Sequence, residues 1–175
     1  DKSGNGNDGQ MQGGAEYSDE FGGWPGDDVG MAMRLVDDPL HETLSDGPYL
    51  SVPSALDGAF QSIVTENTVT ISLWLYGGEQ IAVSNNNSAF WFADADAALS
   101  AEPSVSGLPV LQSHLPWSNG SVFFDVAGCC DPQGRISKAE PDLSKLKGEW
   151  NHYVFVKDEN HSYIYQNGEL WHQEL

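Results

Sequence analysis

Between Thr68 and Tyr76 apolar and polar positions alternate. Val69, Ile71, Leu73 and Leu75 fall on one face, with Thr68, Thr70, Ser72, Trp74 and Tyr76 on the other. A period of two is the signature of a strand with one buried face, and Gly77-Gly78 ends it. The same period returns in Trp150 to Val156 and in Ser162 to Leu170, joined by a polar turn over 157–161. Asn167-Gly168 accepts positive φ and lets the chain reverse again. Shorter strands are expected at 31–36, 49–52, 81–84, 88–93, 110–114 and 122–126, the last two flanking a turn-rich connection, Pro116 to Gly120. Residues 1–30 and 37–48 read as loop, 53–60 as loop or a single helical turn, 141–148 as a polar stretch leading into Trp150, and 94–101 as one or two helical turns. No long amphipathic helix appears. Strands recurring roughly every 8 to 15 residues with turn signals between them predict an all-β fold, two antiparallel sheets packed face to face. Trp74 and Trp150, inside strand patterns, are expected in the core.

Composition narrows the partners. Twenty-six acidic residues against seven basic ones give a formal charge of −19 over 175 residues. Such a field repels phosphate backbones and anionic membranes, so nucleic acid is not an expected partner, whereas divalent cations and neutral or cationic ligands are compatible. No apolar run approaches the ~20 residues that span a bilayer, so no membrane insertion is expected. The length fits a single domain, 1–175. Cys129 and Cys130 are adjacent, so they do not staple distant segments or match a CxxC metal or redox site.

Four motifs in order then carry a resemblance. They are Asp1 to Gly9 (D-x-S-G-N-G-N-x-G), Val69 to Tyr76, Gly148-Glu149-Trp150-Asn151-His152-Tyr153 (G-x-W-x-H), and Tyr163-Ile164-Tyr165-Gln166-Asn167-Gly168. Together they resemble the concanavalin A-like, laminin-G-like jelly-roll domains. Leu115 to Gly120, Phe123-Phe124-Asp125 and Gly128 to Asp131 look like a bacterial extracellular branch of that superfamily. The resemblance implies a jelly-roll β-sandwich in an extracellular or cell-surface protein. Such domains open with a strand before the Asp-rich loop and close with one after the Asn-Gly turn. By that measure 1–175 lacks its first and last strands, to be supplied by flanking sequence or a partner chain.

Candidate chemistry follows. Calcium takes six to eight hard oxygens from a pliable loop. Asp1, Asn5 and Asp8, with Gly6 as a backbone contributor, are the candidate ligands; a loop held by Asx-turns alone is the other reading. Cys129 and Cys130 form a vicinal disulfide, whose eight-membered ring offers a flat apolar plate, or remain two reduced thiols. Sugars are held by aromatic faces against their C–H side and by polar groups on their hydroxyls. Trp91, His114, Trp117, Asp125 and Arg135 are candidates of that kind beside the cysteines. Phe90 and Phe124 belong to the same set, the other reading placing Phe90, Trp91 and Phe124 in the core. The paired carboxylates of retaining glycosidases have no counterpart motif, nor do a serine elbow, a phosphate loop or H-E-x-x-H. The five histidines show no i, i+4 spacing. The function expected is therefore a non-catalytic, calcium-supported carbohydrate-binding or adhesion module with a glycan or surface polysaccharide as partner. The alternative is a structural module that joins a filament or partner by strand exchange.

Overall fold

The computed structural model describes residues 4, 6–26, 28, 30–35, 48–52, 66–77, 88–92, 111–117, 119–126, 134–140 and 142–174. They are all-β with antiparallel sheets, and the chain divides into two compact units, Asp1–Asn67 and Thr68–Leu175.

The first unit holds two small antiparallel pairs. Strand β1 (Gln10–Gln12) pairs with β4 (Tyr49–Ser51), and β2 (Glu16–Ser18) with β3 (Ala32–Arg34). Strands at 31–36 and 49–52 were expected; β1 and β2 lie in a stretch read as loop. Gly13 and Gly14, both at positive φ, turn the chain between them, which L-residues with a Cβ do reluctantly. Arg34 links its hairpin to Glu16 and Glu20, each at 3.2 Å. These groups are exposed, so the pairs contribute little.

The second unit contains two four-stranded sheets. One has the order β12-β11-β10-β5, the other β6-β7-β8-β9. Strand β5 (Val69–Tyr76) pairs with β10 (Trp150–Asp158) over eight registered positions, and β10 with β11 (His161–Gln166). The Asn167–Gly168 turn, with both residues at positive φ, leads directly into β12 (Glu169–Glu174), so a strand does follow that turn. The other sheet comprises β6 (Phe90–Phe92), β7 (Leu111–His114), β8 (Ser121–Asp125) and β9 (Arg135–Ala139). Strand β9 was not anticipated, and the expected 81–84 strand lies outside the described residues.

Period-two patterning decides what is buried. Register places Ile71, Phe155 and Ile164 in one row and Leu73 with Tyr153 in the next. On the other sheet Phe90, Ser113, Phe124 and Ile136 form a row. The layers meet where Phe155 approaches Phe124 at 5.3 Å and Phe90 at 5.2 Å between ring centres. Burial of Phe155, Phe124, Val122 and Ile164 is complete; losing one such phenylalanine ring costs about 3–5 kcal/mol. One side of this core is closed by Lys138, which donates to the Trp171 carbonyl at 2.8 Å and lies over its ring.

A polar plug holds one end. Asp142 caps a single 3-10 turn (Leu143–Leu146) by accepting from the Ser144 amide and hydroxyl. These bonds, the hydroxyl's above all, hold the Asp142 carboxyl below its ordinary value. Buried Asn151 donates to the Lys145 carbonyl at 3.1 Å and accepts from Asn167 at 2.9 Å, tying that turn to the Asn-Gly hairpin.

Two expectations need correction. Trp74 and Trp150 are not core residues: register puts both on the outward face, opposite Leu73, Leu75 and Tyr153. There Trp74 stacks on His152 and Trp150 meets Tyr76 edge-on. Trp91, a candidate for ligand binding, is exposed, while its neighbours Phe90 and Phe92 pack against the core.

Candidate functional site

The outward face of sheet β6-β7-β8-β9 gathers five of the residues singled out from the sequence. Side chains of paired residues point to the same face. One row is therefore Trp91, Gln112, Asp125 and Arg135, and the next is His114, Phe123 and Ser137. Phe90 and Phe124 belong to the opposite, core-facing row.

A charged clamp occupies the first row. Asp125 is 0% exposed, yet both its oxygens are engaged. Arg135 donates through Nε to Oδ1 and through an Nη to Oδ2 at 2.7 Å, and Gln112 adds a bond to Oδ2 at 2.8 Å. A buried carboxylate is tolerated only when paired and hydrogen-bonded in this way. The clamp fixes the guanidinium, whose carbon lies 4.4 Å from the centre of the Phe123 ring, a cation–π arrangement.

An aromatic trio occupies the second row. His114 and Trp117 meet edge-to-face at 4.4 Å, and each approaches Phe123, at 6.0 and 6.1 Å. Trp117 is not on a strand; the connection between β7 and β8 places it. Its amide donates to the Ser121 carbonyl and its carbonyl accepts from the Gly120 amide, both at 2.8 Å. Asn119 accepts from the Ser121 amide at 3.0 Å, and Gly120 takes φ +81°. The turn chemistry expected at Pro116 to Gly120 thus folds the indole back onto His114.

Asp125 is consequently a support for Arg135 and not an open acceptor. Trp117, Phe123 and the Arg135 head are half-buried, with Trp91 exposed in the same row as Arg135. Gln112 and Phe123 were missed by sequence reasoning. Alternation carried the signal, since residues two before His114 and two before Asp125 must share their face.

The remaining candidates stand apart. Cys129 and Cys130, with the proposed disulfide, lie outside the described residues, as do Asp1 and Asn5. Asp8 is described and exposed, on the approach to β1. Among the described residues no three His, Cys, Asp or Glu side chains gather in a metal-binding group, and no helix is long and apolar enough to cross a membrane.

The class defined by these observations is an all-β protein of antiparallel sheets, compatible with a β-sandwich, with an aromatic and guanidinium cluster on one outward sheet face. Comparison with family models, curated proteins and solved structures found no match to the chain.

Proposed function

We propose that the chain is a non-catalytic carbohydrate-binding or adhesion module of a secreted or surface protein, built as a concanavalin A-like jelly roll. The observation that carries this reading is the cluster of Trp117, His114 and Phe123 beside an Arg135 head locked by Asp125, which Gln112 holds in turn. Aromatic rings suit the C–H side of a sugar, and a guanidinium held in place suits its hydroxyls. Because the donors are held before binding, little side-chain entropy is lost on capture. Calcium ordering the Asp1, Asn5 and Asp8 loop, and a Cys129–Cys130 plate beside the cluster, belong to the same proposal.

A glycan array probed with the full chain tests it. Binding to at least one glycan, lost in Trp117→Ala and weakened by a chelator, is expected. No signal on any glycan would overturn the reading, and binding unchanged by the chelator would remove calcium from it.

One observation favours a second reading, assembly by strand addition. Among the described strands β5 pairs on one side only, and its sequence, VTISLWLY, carries no charge and no proline. Its register with β10 runs without a bulge. Those are the devices that normally protect a sheet edge. Concentration-dependent oligomers abolished by Ser72→Pro would support this reading.

A further inference from the structure

The outward face of the other sheet, β12-β11-β10-β5, is a second aromatic surface that the proposed site does not use. Trp74 lies on His152 with ring centres 4.8 Å apart and 28° between planes. Along β11, His161, Tyr163 and Tyr165 occupy alternate positions with ring centres 5.9 and 6.3 Å apart and planes within 26° and 28°. The register sets the two groups side by side, because Tyr165 pairs with Val154, which pairs in turn with Ser72. Ser72 is exposed, and its hydroxyl lies 2.8 Å from His152 Nε2.

The charge pattern restricts the occupant. The chain is 19% charged with a net −19. Yet the outward positions of β5, β10 and β11 carry a single Asp, Glu, Lys or Arg, the exposed Asp158 opposite His161 at the far end of β10. An ionic partner finds one counter-charge, at one end of that face. A purely apolar partner would leave the imidazoles, the Ser72 hydroxyl and the tyrosine hydroxyls without water. A neutral sugar chain meets both demands, since each pyranose has a C–H face for a ring and a rim of hydroxyls for the groups between rings. Near-parallel rings repeated at steps of about one sugar's length fit a linear polymer better than a single residue.

From this arrangement we infer that the outward face of β5, β10 and β11 is a platform for a neutral, linear, β-linked polysaccharide, independent of the Trp117 cluster on the other sheet. The inference goes beyond the proposed site, and either can hold without the other.

The test uses the full chain against cellohexaose, xylohexaose and chitohexaose by titration calorimetry, and against insoluble cellulose and chitin by depletion. The wild type is expected to bind at least one probe. Tyr163→Ala/Tyr165→Ala should weaken that binding about tenfold or more, Tyr163→Phe/Tyr165→Phe should keep it within about threefold, and Trp117→Ala should leave it unchanged. Thr70→Lys, at an exposed outward position facing Val156 in the register, should weaken it too without touching a ring. Its result stands in if the alanine pair does not fold. The inference is overturned if no probe binds. It is equally overturned if the folded alanine pair, or Thr70→Lys, binds like the wild type. Loss of all binding in Trp117→Ala with the tyrosine variants unaffected would overturn it while upholding the proposed site.

Discussion

Replacing Arg135 with methionine tests the clamp from its more sensitive end. The two partners are unequal: the Asp125 side chain is 0% exposed, whereas that of Arg135 is 21% exposed. Methionine keeps most of the arginine stem's volume but removes two donors, leaving the buried carboxylate with the single bond from Gln112. Breaking a buried pair in this way costs about 3–5 kcal/mol, because the remaining charge has no route to water. Removing that charge as well, in Asp125→Asn/Arg135→Met, leaves a neutral amide beside Gln112 and should return all but about 1 kcal/mol. Urea unfolding followed by tryptophan fluorescence measures all three proteins, with the midpoint shift read at constant slope. The sign of the coupling is the decisive quantity, since residues in one hydrogen-bonded network are not additive. If Arg135→Met lies within about 1 kcal/mol of the wild type, or if the double variant is no more stable than Arg135→Met, Asp125 is not an enclosed charge held by Arg135. The argument for a preorganised donor head then fails with it.

Three further outcomes follow from other parts of the second unit. Gly77→Ala should destabilise by about 3 kcal/mol or more in the same assay, because a Cβ at Gly77 would overlap the Leu146 carbonyl oxygen and this backbone has no rotamer to yield. Burial pushes the Tyr153 hydroxyl from 10.0 up to about 12. The folded protein therefore holds that proton where the unfolded chain releases it, so the stabilisation is complete below pH 10 and lost as the pH climbs toward 12. Its size is on the order of 2–3 kcal/mol, and Tyr153→Phe should flatten the alkaline limb of a stability-against-pH curve. Ser113→Ala should be neutral or stabilising by up to about 1 kcal/mol, since the Ser113 hydroxyl is buried between Phe90 and Phe124 without a hydrogen-bond partner; a loss above that amount would reveal a partner.

What the sequence disclosed was the alternation, and it disclosed most where the strands are long. The faces of β5 follow from Val69 to Tyr76 alone, and β10 and β11 from their period and the Asn-Gly turn. Short strands were harder. β1 and β2 have three residues each in a stretch rich in Gly, Asp and Asn, where turn chemistry outweighs any period. In β9, Arg135-Ile136-Ser137-Lys138-Ala139 contains one large apolar residue, so a half-buried edge strand looks like loop. The misplacement of Trp74 and Trp150 has a different cause. Residue type favoured the core, although the period set Trp74 opposite Leu73 and Leu75. The same period set Phe123, and not Phe124, beside Asp125. Hydrophobicity says that a ring needs cover, and only register says on which side.

That distinction bears on why the two sheets have such different outer faces. A two-layer fold consumes one face of each sheet, and here Phe124, Phe155 and Ile164 fill the shared interior. Solubility alone would be served by making both outer faces charged, as the chain's −19 easily permits. Instead one outer face confines its charge to the enclosed Arg135–Asp125 clamp beside three aromatic rings. The other carries rings and hydroxyls over β5, β10 and β11, with Asp158 its one charge there. Trp74, Trp117, Phe123, Tyr163 and Tyr165 are half-buried on those faces, so each ring packs against its neighbours and still leaves part of itself at the surface. Under the proposed function and the polysaccharide platform inferred above, one kind of partner, with both apolar and hydroxylic sides, would serve both faces.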